Sequence, residues 1–308
     1  MTTPASDSPY IGRFAPSPTG PLHFGSLVSA LASYLDAKSH NGIWLVRMED
    51  IDPPREMPGA SDYILRQLQL HGLHWDGQVL YQSQRSDAYL STLQQLQDRG
   101  LTYYCQCSRQ QLKKRGGIHN YRCQLENPAE PTALRLALPD RCNIEFNDLF
   151  QGPQIQDVKQ QVGDLVLRRK DGLFAYQLAV VVDDAFQQIT HIIRGSDLLE
   201  TTPGQIYLQQ QLNYTSPQYG HIPVATNLAG QKLSKQNLTP PINHETPVKN
   251  LARAMSWLGL PVIKDANIAS HTSCDELLAW AAAHWQRKLV PPEMERVASD
   301  GYQGDTTA

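Results

Sequence analysis

The sequence predicts an α/β fold built on a doubly wound parallel sheet, and three observations carry that expectation. Apolar runs of strand length, such as Ile43-Trp44-Leu45-Val46-Arg47-Met48, are continuous rather than alternating, as in strands covered on both faces. They are interleaved with amphipathic helical segments. At the first strand-to-helix crossing, a Gly- and Pro-rich loop leads straight into the helix, which is where phosphate sites are built.

That crossing is the stretch the rest of the chain is organised around. Tyr10 to Ala15 reads as a short buried strand, and Leu27, Val28, Leu31 and Leu35 recur at helical spacing. Between them lies Arg13-Phe14-Ala15-Pro16-Ser17-Pro18-Thr19-Gly20-Pro21-Leu22-His23-Phe24-Gly25-Ser26. Unpaired backbone N–H groups at a helix start, helped by the helix dipole, suit a loop carrying Gly20, His23 and Gly25 to a polyphosphate. The prolines hold the loop extended, and the glycines allow close approach.

The strand at 43–48 ends in Glu49-Asp50-Ile51-Asp52-Pro53, so its acidic residues face the same crevice as His23, or Asp50 and Asp52 cap the following turn. Residues 59–70 read as a helix. A second follows at 86–99, with Leu90, Leu93 and Leu96 inward and Gly100 as its stop.

Residues 105–123 read Cys-x-Cys-x11-His-Asn-Tyr-Arg-Cys. Three thiolates and an imidazole, Cys105, Cys107, His119 and Cys123, are the donor set a tetrahedral structural zinc prefers, one ion per chain. Tyr121 is a rival fourth ligand. Cys142 and Cys274 stand alone and read as small apolar residues.

Short strands and turns are expected over 131–166, as an insertion between two halves of a nucleotide fold, then a hairpin over 164–172 with Asp171-Gly172 as its turn. Phe174 to Asp184 reads as a central strand ending in two aspartates. Ile189 to Ile193 reads as another strand, opening onto Arg194, Gly195 and either a crevice or a cap made by Ser196 and Asp197. The short loop Lys232-Leu233-Ser234-Lys235-Gln236 carries two lysines, and residues 240–247 are linker-like. Two helices are expected over 249–260 and 275–290, the second opened by a Ser273-x-x-Glu276 capping box. Trp257, Leu258, Leu277, Leu278, Trp285 and Leu289 should pack them together, and the tail over 296–308 should fray.

The bulk properties exclude some classes. At 308 residues and 41% hydrophobic, the chain supports a large core, and a net charge of −3 argues against coating nucleic acid by bulk charge. No apolar run approaches bilayer length and the first residues lack a signal-peptide core, so a cytoplasmic location is expected. Five cysteines, three of them crowded into one window, do not suggest a disulfide framework.

Together, the Pro-Ser-Pro-Thr-Gly-Pro-Leu-His-Phe-Gly-Ser loop and the Lys-Leu-Ser-Lys-Gln loop resemble the two nucleotide-binding signatures of class I aminoacyl-tRNA synthetases. Across residues 10 to 290 the chain is similar to the catalytic half of bacterial glutamyl-tRNA synthetases. The matching pieces are residues 13–20, Arg47 to Asp52, Tyr176 with Val181-Val182-Asp183-Asp184, Arg194, and Lys232 to Gln236. Only 72 residues follow Gln236, fewer than the anticodon-binding part of such enzymes, so the likeness is to the short queuosine-modifying branch. Departures point the same way: Ser26 and Gln236 close the two signatures in place of His and Arg, and Val180 and Leu198 replace a frequent Asn and Trp.

The resemblance implies a Rossmann-like catalytic domain in two halves, 8–100 and 164–236, a zinc-bearing insertion over 101–163, a helical domain over 237–295 and a flexible tail over 296–308. It implies His23 and Lys235 as catalytic groups, with Pro16, Gly20, Gly25, Ser26 and Lys232 joining them around ATP and its Mg²⁺. Arg13, Ser17, Glu49, Tyr176 and Arg194 would bind glutamate, the arginines taking carboxylates and Glu49 the ammonium. Which arginine reads the side-chain carboxylate stays open, and an ion pair of Arg13 with Glu49 or Asp50 is the alternative role. The implied reaction is ATP-dependent activation of L-glutamate without tRNA, then transfer to a cyclopentenediol hydroxyl of queuosine in the anticodon of tRNA(Asp), by a monomer. The alternatives are a truncated synthetase charging tRNA(Glu) and a non-catalytic tRNA-binding module.

Overall fold

Five parallel strands form the centre of the molecule. The computed structural model describes residues 9–114, 116–123, 125, 131–233, 239–261 and 273–298. The first half runs β1 (Ile11–Phe14), α1 (Phe24–Ser39), β2 (Ile43–Met48), α2 (Ala60–Leu70), β3 (Leu80–Tyr81) and α3 (Ser86–Asp98). An inserted portion follows, with β4 (Thr102–Cys105), α4 (Arg109–Lys114), β5 (Ala133–Leu136), β6 (Asn143–Asp148), β7 (Gly152–Asp157), α5 (Val158–Gln161) and β8 (Leu165–Arg168). The second half adds α6 (Tyr176–Phe186), β9 (His191–Gly195), α7 (Thr202–Leu212), β10 (Gln218–Ile222) and β11 (Val224–Thr226). Then come α8 (Pro247–Trp257), α9 (Cys274–His284) and β12 (Glu295–Val297).

The main sheet has the order β10-β9-β1-β2-β3, all parallel. Strand order reverses between β1 and β9, so the crevice beyond their carboxyl ends is the topological switch point where such sheets take ligands. Arg13 near the end of β1, Glu49 just after β2 and Arg194 near the end of β9 all reach it.

One apolar core joins α1, α8 and α9 to one face of the sheet, through Leu27, Leu31, Trp44, Met255 and Leu278. The other lies under α3, α6 and α7, through Tyr89, Leu93, Leu178, Val181, Ile192 and Leu208. Buried Asp36 clamps the C-terminal portion to α1. Its carboxylate accepts from the Tyr10 hydroxyl, the Trp285 indole (2.9 Å) and the Arg287 Nε (2.8 Å).

Several expectations need correction. Residues 174–184 are not a strand: α6 occupies Tyr176–Phe186, and Leu178 to Asp184 are all buried. A short apolar run reads identically in a buried strand and in a helix buried on every side. Leu90 faces solvent at 45% exposure, while Tyr89 takes the inward place on α3. The second C-terminal helix stops at His284 rather than Val290, because docking Trp285 and Arg287 onto Asp36 pulls the chain out of helical geometry. Leu289 is accordingly only partly buried. The first residues of the expected tail, up to Val297, pair with β11 as β12. Ser196 and Asp197 do not cap by side chain: Ser196 donates to the Met294 carbonyl and Asp197 pairs with Lys232. The Ser273–Glu276 capping box is present.

Candidate active site

A cavity of about 870 Å³ opens at the switch point, and members of both sets of expected substrate residues line it. At one end stand His23, Gly25, Ser26 and Lys232; at the other stand Arg13, Ser17, Glu49, Tyr176 and Arg194. Pro16 lines it as well, whereas Gly20 shapes the loop without lining it. Gly20 has φ 139°, a region that disfavours side chains. Lys235 and Gln236 lie outside the described residues.

The end expected to take phosphates is built by local geometry. His23 is the N-cap of α1, and its Nδ1 accepts from the Ser26 backbone N–H at 3.3 Å. That acceptor role puts the proton of a neutral ring on Nε2. Adding a Cβ at Gly25 would place it 3.3 Å from the His23 ring, a tight approach, so glycine leaves room for the His23 imidazole at the helix start, with the Leu233 carbonyl 3.5 Å away in ordinary contact. The loop is held by Leu233 N–H to Ala225 O (2.8 Å) and a turn closed by Asn227 N–H to Gln231 O (2.9 Å). Lys232 meets Asp197 at 2.6 Å in an exposed pair, which is weak and exchangeable.

The opposite end is a buried lattice of charge. Arg13 donates from Nε and Nη2 to Asp184 (3.2 and 3.4 Å), and Arg47 donates to the same carboxylate from Nη1 at 2.8 Å. Burial alone would raise the Asp184 carboxyl, but Arg13 and Arg47 outweigh it and hold it below the usual range. The partner of Arg13 is therefore Asp184, not Glu49 or Asp50. Two adjacent carboxylates in the last turn of α6 oppose its dipole, and each has its own compensating groups. Asp183 accepts from Gln82, Arg85 and Tyr89.

Glu49 sits 3.6 Å from Arg47 Nη2, beyond hydrogen-bond reach. Burial pushes its carboxyl up, and Arg47 and Arg13 only partly offset this. Such a group gains by meeting an ammonium. Arg194 Nη1 donates to the Tyr176 hydroxyl at 3.3 Å, and burial raises that phenol so that it stays protonated. Sequence reasoning missed what holds Arg194: His221, Thr202 and Gln205. They belong to no motif, and only the odd histidine in the apolar run Gly220-His221-Ile222 hinted at them. It also missed the outer rim formed by Arg55, Arg109 and Arg169.

Away from the cavity, the four proposed metal ligands converge, with all donor atoms within 4.8 Å of one another. His119 Nε2 lies 3.3 Å from Cys105 Sγ and 3.1 Å from Cys123 Sγ, and Cys107 Sγ lies 3.2 Å from Cys123 Sγ. Tyr121 Oη touches Cys107 Sγ at 3.4 Å and its ring stacks on His119, whose Nε2 is the atom that reaches two of the sulfurs. Tyr103 bridges His119 Nδ1 (3.0 Å) to Asp164 (2.6 Å), the outer support metal-bound histidines use. The donor set and its spacing fit zinc.

A parallel sheet with a switch-point cavity, a histidine at a helix start and a lysine beside it has the layout of a nucleotide-binding α/β domain. The family model for class I tRNA synthetases (E and Q), catalytic domain, matches residues 11–255, and the chain belongs to that family. A Pseudomonas putida (strain KT2440) protein called glutamyl-Q tRNA(Asp) synthetase is 49% identical over 286 residues, 92% of this chain and 94% of the relative. A Klebsiella pneumoniae (strain 342) protein of the same name is 50% identical over 282 residues, 91% and 95% of the two chains. Among solved structures, the glutamate-tRNA synthetase of Elizabethkingia anophelis superposes with a TM-score of 0.76 at 26% identity, covering 93% of this chain and 67% of that one.

Proposed function

We propose that this chain activates L-glutamate with ATP in the absence of tRNA and transfers it to a cyclopentenediol hydroxyl of queuosine in the anticodon of tRNA(Asp). The observation that carries the first step is the common cavity: the buried end offers two arginines and one carboxylate, the complement of glutamate's two carboxylates and one ammonium. The names carried by relatives at about half identity over nearly the whole chain support the second step.

In activation, a glutamate carboxylate oxygen attacks the α-phosphorus and pyrophosphate leaves. His23 and Lys235, assisted by Lys232, meet the charge that develops on the departing phosphates, and one well-placed donor of this kind is worth about 3–4 kcal/mol. Backbone donors around Gly20, Gly25 and Ser26 serve ATP, whose Mg²⁺ neutralises its phosphates. Arg13 and Arg194 take the two carboxylates, Glu49 the ammonium, and Ser17 and Tyr176 add neutral hydrogen bonds. In transfer, the queuosine hydroxyl oxygen attacks the acyl carbon, its proton leaves, and AMP departs as an ester forms. The phosphate of the adenylate is close enough to its own acyl carbon to take that proton.

One zinc held by Cys105, Cys107, His119 and Cys123 fixes the inserted portion rather than joining the chemistry. The chain acts as a cytoplasmic monomer, with the units 8–100, 101–163, 164–236 and 237–295 as its working parts. Labelled glutamate offered with the purified protein and ATP should enter queuosine-containing tRNA(Asp) and stay off both unmodified tRNA(Asp) and tRNA(Glu). Label on tRNA(Glu) instead would establish a truncated charging enzyme.

A further inference from the structure

Arg194 is held by more than the glutamate site needs, and what holds it reaches back into the inserted portion. Its Nε donates to His221 Nε2 at 3.0 Å, and Nη2 donates to Thr202 Oγ1 (2.7 Å) and Gln205 Oε1 (2.9 Å). His221 Nδ1 in turn meets Asp148 Oδ2 at 2.5 Å, and both side chains are fully buried. Asp148 accepts nothing but hydrogens here. Its Oδ1 takes the backbone N–H groups of Phe150, Gln151 and His221 at 2.9 to 3.0 Å, so Oδ2 requires a proton on His221 Nδ1. Burial keeps the imidazole neutral, pulling it down to about 4. With the single proton on Nδ1, Nε2 must accept, and Arg194 Nε–H is the charged donor that meets it. Thr202 Oγ1 lies 3.1 Å from the same nitrogen and 3.0 Å from Leu198 O, so its hydrogen has a second acceptor.

The count then becomes restrictive. Nε and both Nη2 hydrogens of Arg194 are used, and one Nη1 hydrogen goes to the Tyr176 hydroxyl. Among the described residues, one N–H on Nη1 is left, next to a phenol whose own hydrogen can turn toward the cavity. We propose that Asp148 and His221 are positioning residues for the amino acid: by fixing the histidine tautomer they lock the Arg194 guanidinium so that one Nη1–H and the Tyr176 O–H together receive one substrate carboxylate. The arginine thus works as one arm of a mixed pair and not as a bidentate fork. This inference rests on the glutamate reading of the cavity.

Asp148→Asn tests it with little change of shape. An asparagine retains an oxygen for the three backbone N–H groups but turns a donor toward Nδ1, which moves the ring proton to Nε2 and sets it against Arg194 Nε–H. Two readouts are taken on the full-length protein. Nitrogen-15 NMR of the histidine rings should show His221 as the neutral Nδ1–H form in the parent and the Nε2–H form in Asp148→Asn. In glutamate-dependent pyrophosphate exchange, Asp148→Asn should raise KM for glutamate about tenfold or more while leaving KM for ATP unchanged. His221→Gln, whose amide oxygen can still accept from Arg194, should lose less glutamate affinity than His221→Leu. This ordering applies even if Asp148→Asn does not fold. A parent His221 carrying its proton on Nε2, an unchanged glutamate KM in Asp148→Asn, or equal losses in His221→Gln and His221→Leu would each overturn the proposal. A parent without glutamate-dependent exchange would instead refute the proposed activity, leaving the tautomer measurement to decide the positioning claim alone.

Discussion

At the residue scale, the site is a set of charges that satisfy one another only incompletely. Glu49 is the clearest case: burial raises its carboxyl, and among the described residues the nearest cation, Arg47 at 3.6 Å, offsets this only in part. Ionised Glu49 is the form that binds an ammonium, so glutamate affinity should be full above its raised pKa and fall as the pH drops through it. The loss should begin above the ordinary carboxylate range of about 4. Measured by pyrophosphate exchange across pH, KM for glutamate should rise toward acid, and Glu49→Gln should abolish that rise while raising KM throughout. Asp184 is the counterpart that the arginines depend on. Asp184→Asn would leave buried Arg13 and Arg47 sharing no carboxylate, and should cost about 3–5 kcal/mol in urea unfolding. A loss under 1 kcal/mol would mean that the pairs are not structural. Arg13, Ser17, His23, Glu49, Tyr176, Arg194 and Lys232 were legible as cavity residues because they sit in or beside motif stretches, whereas the rim arginines Arg55, Arg109 and Arg169 were not. Asp184 as the partner of Arg13 was not, since 171 positions separate the two, and a partner so far along the chain leaves no spacing to read.

At the scale of elements, the strand-to-helix crossings were legible because periodicity and glycines mark them. α6 was not, because a helix buried on all sides shows no polar face. The convergence of Cys105, Cys107, His119 and Cys123 was legible from their spacing. Treating the protein with a chelator should release about one equivalent of zinc, and hydrogen exchange should then accelerate over residues 102–123 while β1 and β9 keep their protection. A Cys107→Ser variant retaining full zinc would remove Cys107 from the ligand set. The C-terminal helices hang on a different device, the Asp36 carboxylate. Burial would raise it, but its hydrogen bonds with Arg287, Tyr10 and Trp285 win and hold it low. Its stabilising effect is therefore present above the unfolded carboxyl value of about 3.9 and lost as pH falls through the lower folded value. Asp36→Asn should destabilise by about 2–3 kcal/mol at neutral pH, less than a sealed pair because Arg287 is a quarter exposed and can rehydrate. The difference should shrink in acid, and an unchanged midpoint of unfolding would contradict the clamp.

At the scale of the whole molecule, two halves of a parallel sheet leave a crevice between them, and His23 and Lys232 share it with Arg13, Glu49 and Arg194. A net charge of −3 means that recognition of a polyanion depends on local cations, among them Arg55, Arg109 and Arg169 at the cavity rim. No helix among the described residues is long and apolar enough to cross a membrane. Pyrophosphate exchange is the direct test of the proposed meeting of a carboxylate nucleophile and ATP in one cavity without help from RNA. Purified protein with ATP, labelled pyrophosphate and no tRNA should incorporate label into ATP when L-glutamate is added and not when L-glutamine replaces it. Absence of exchange with glutamate, or equal exchange with both amino acids, would refute selective activation of glutamate in this cavity.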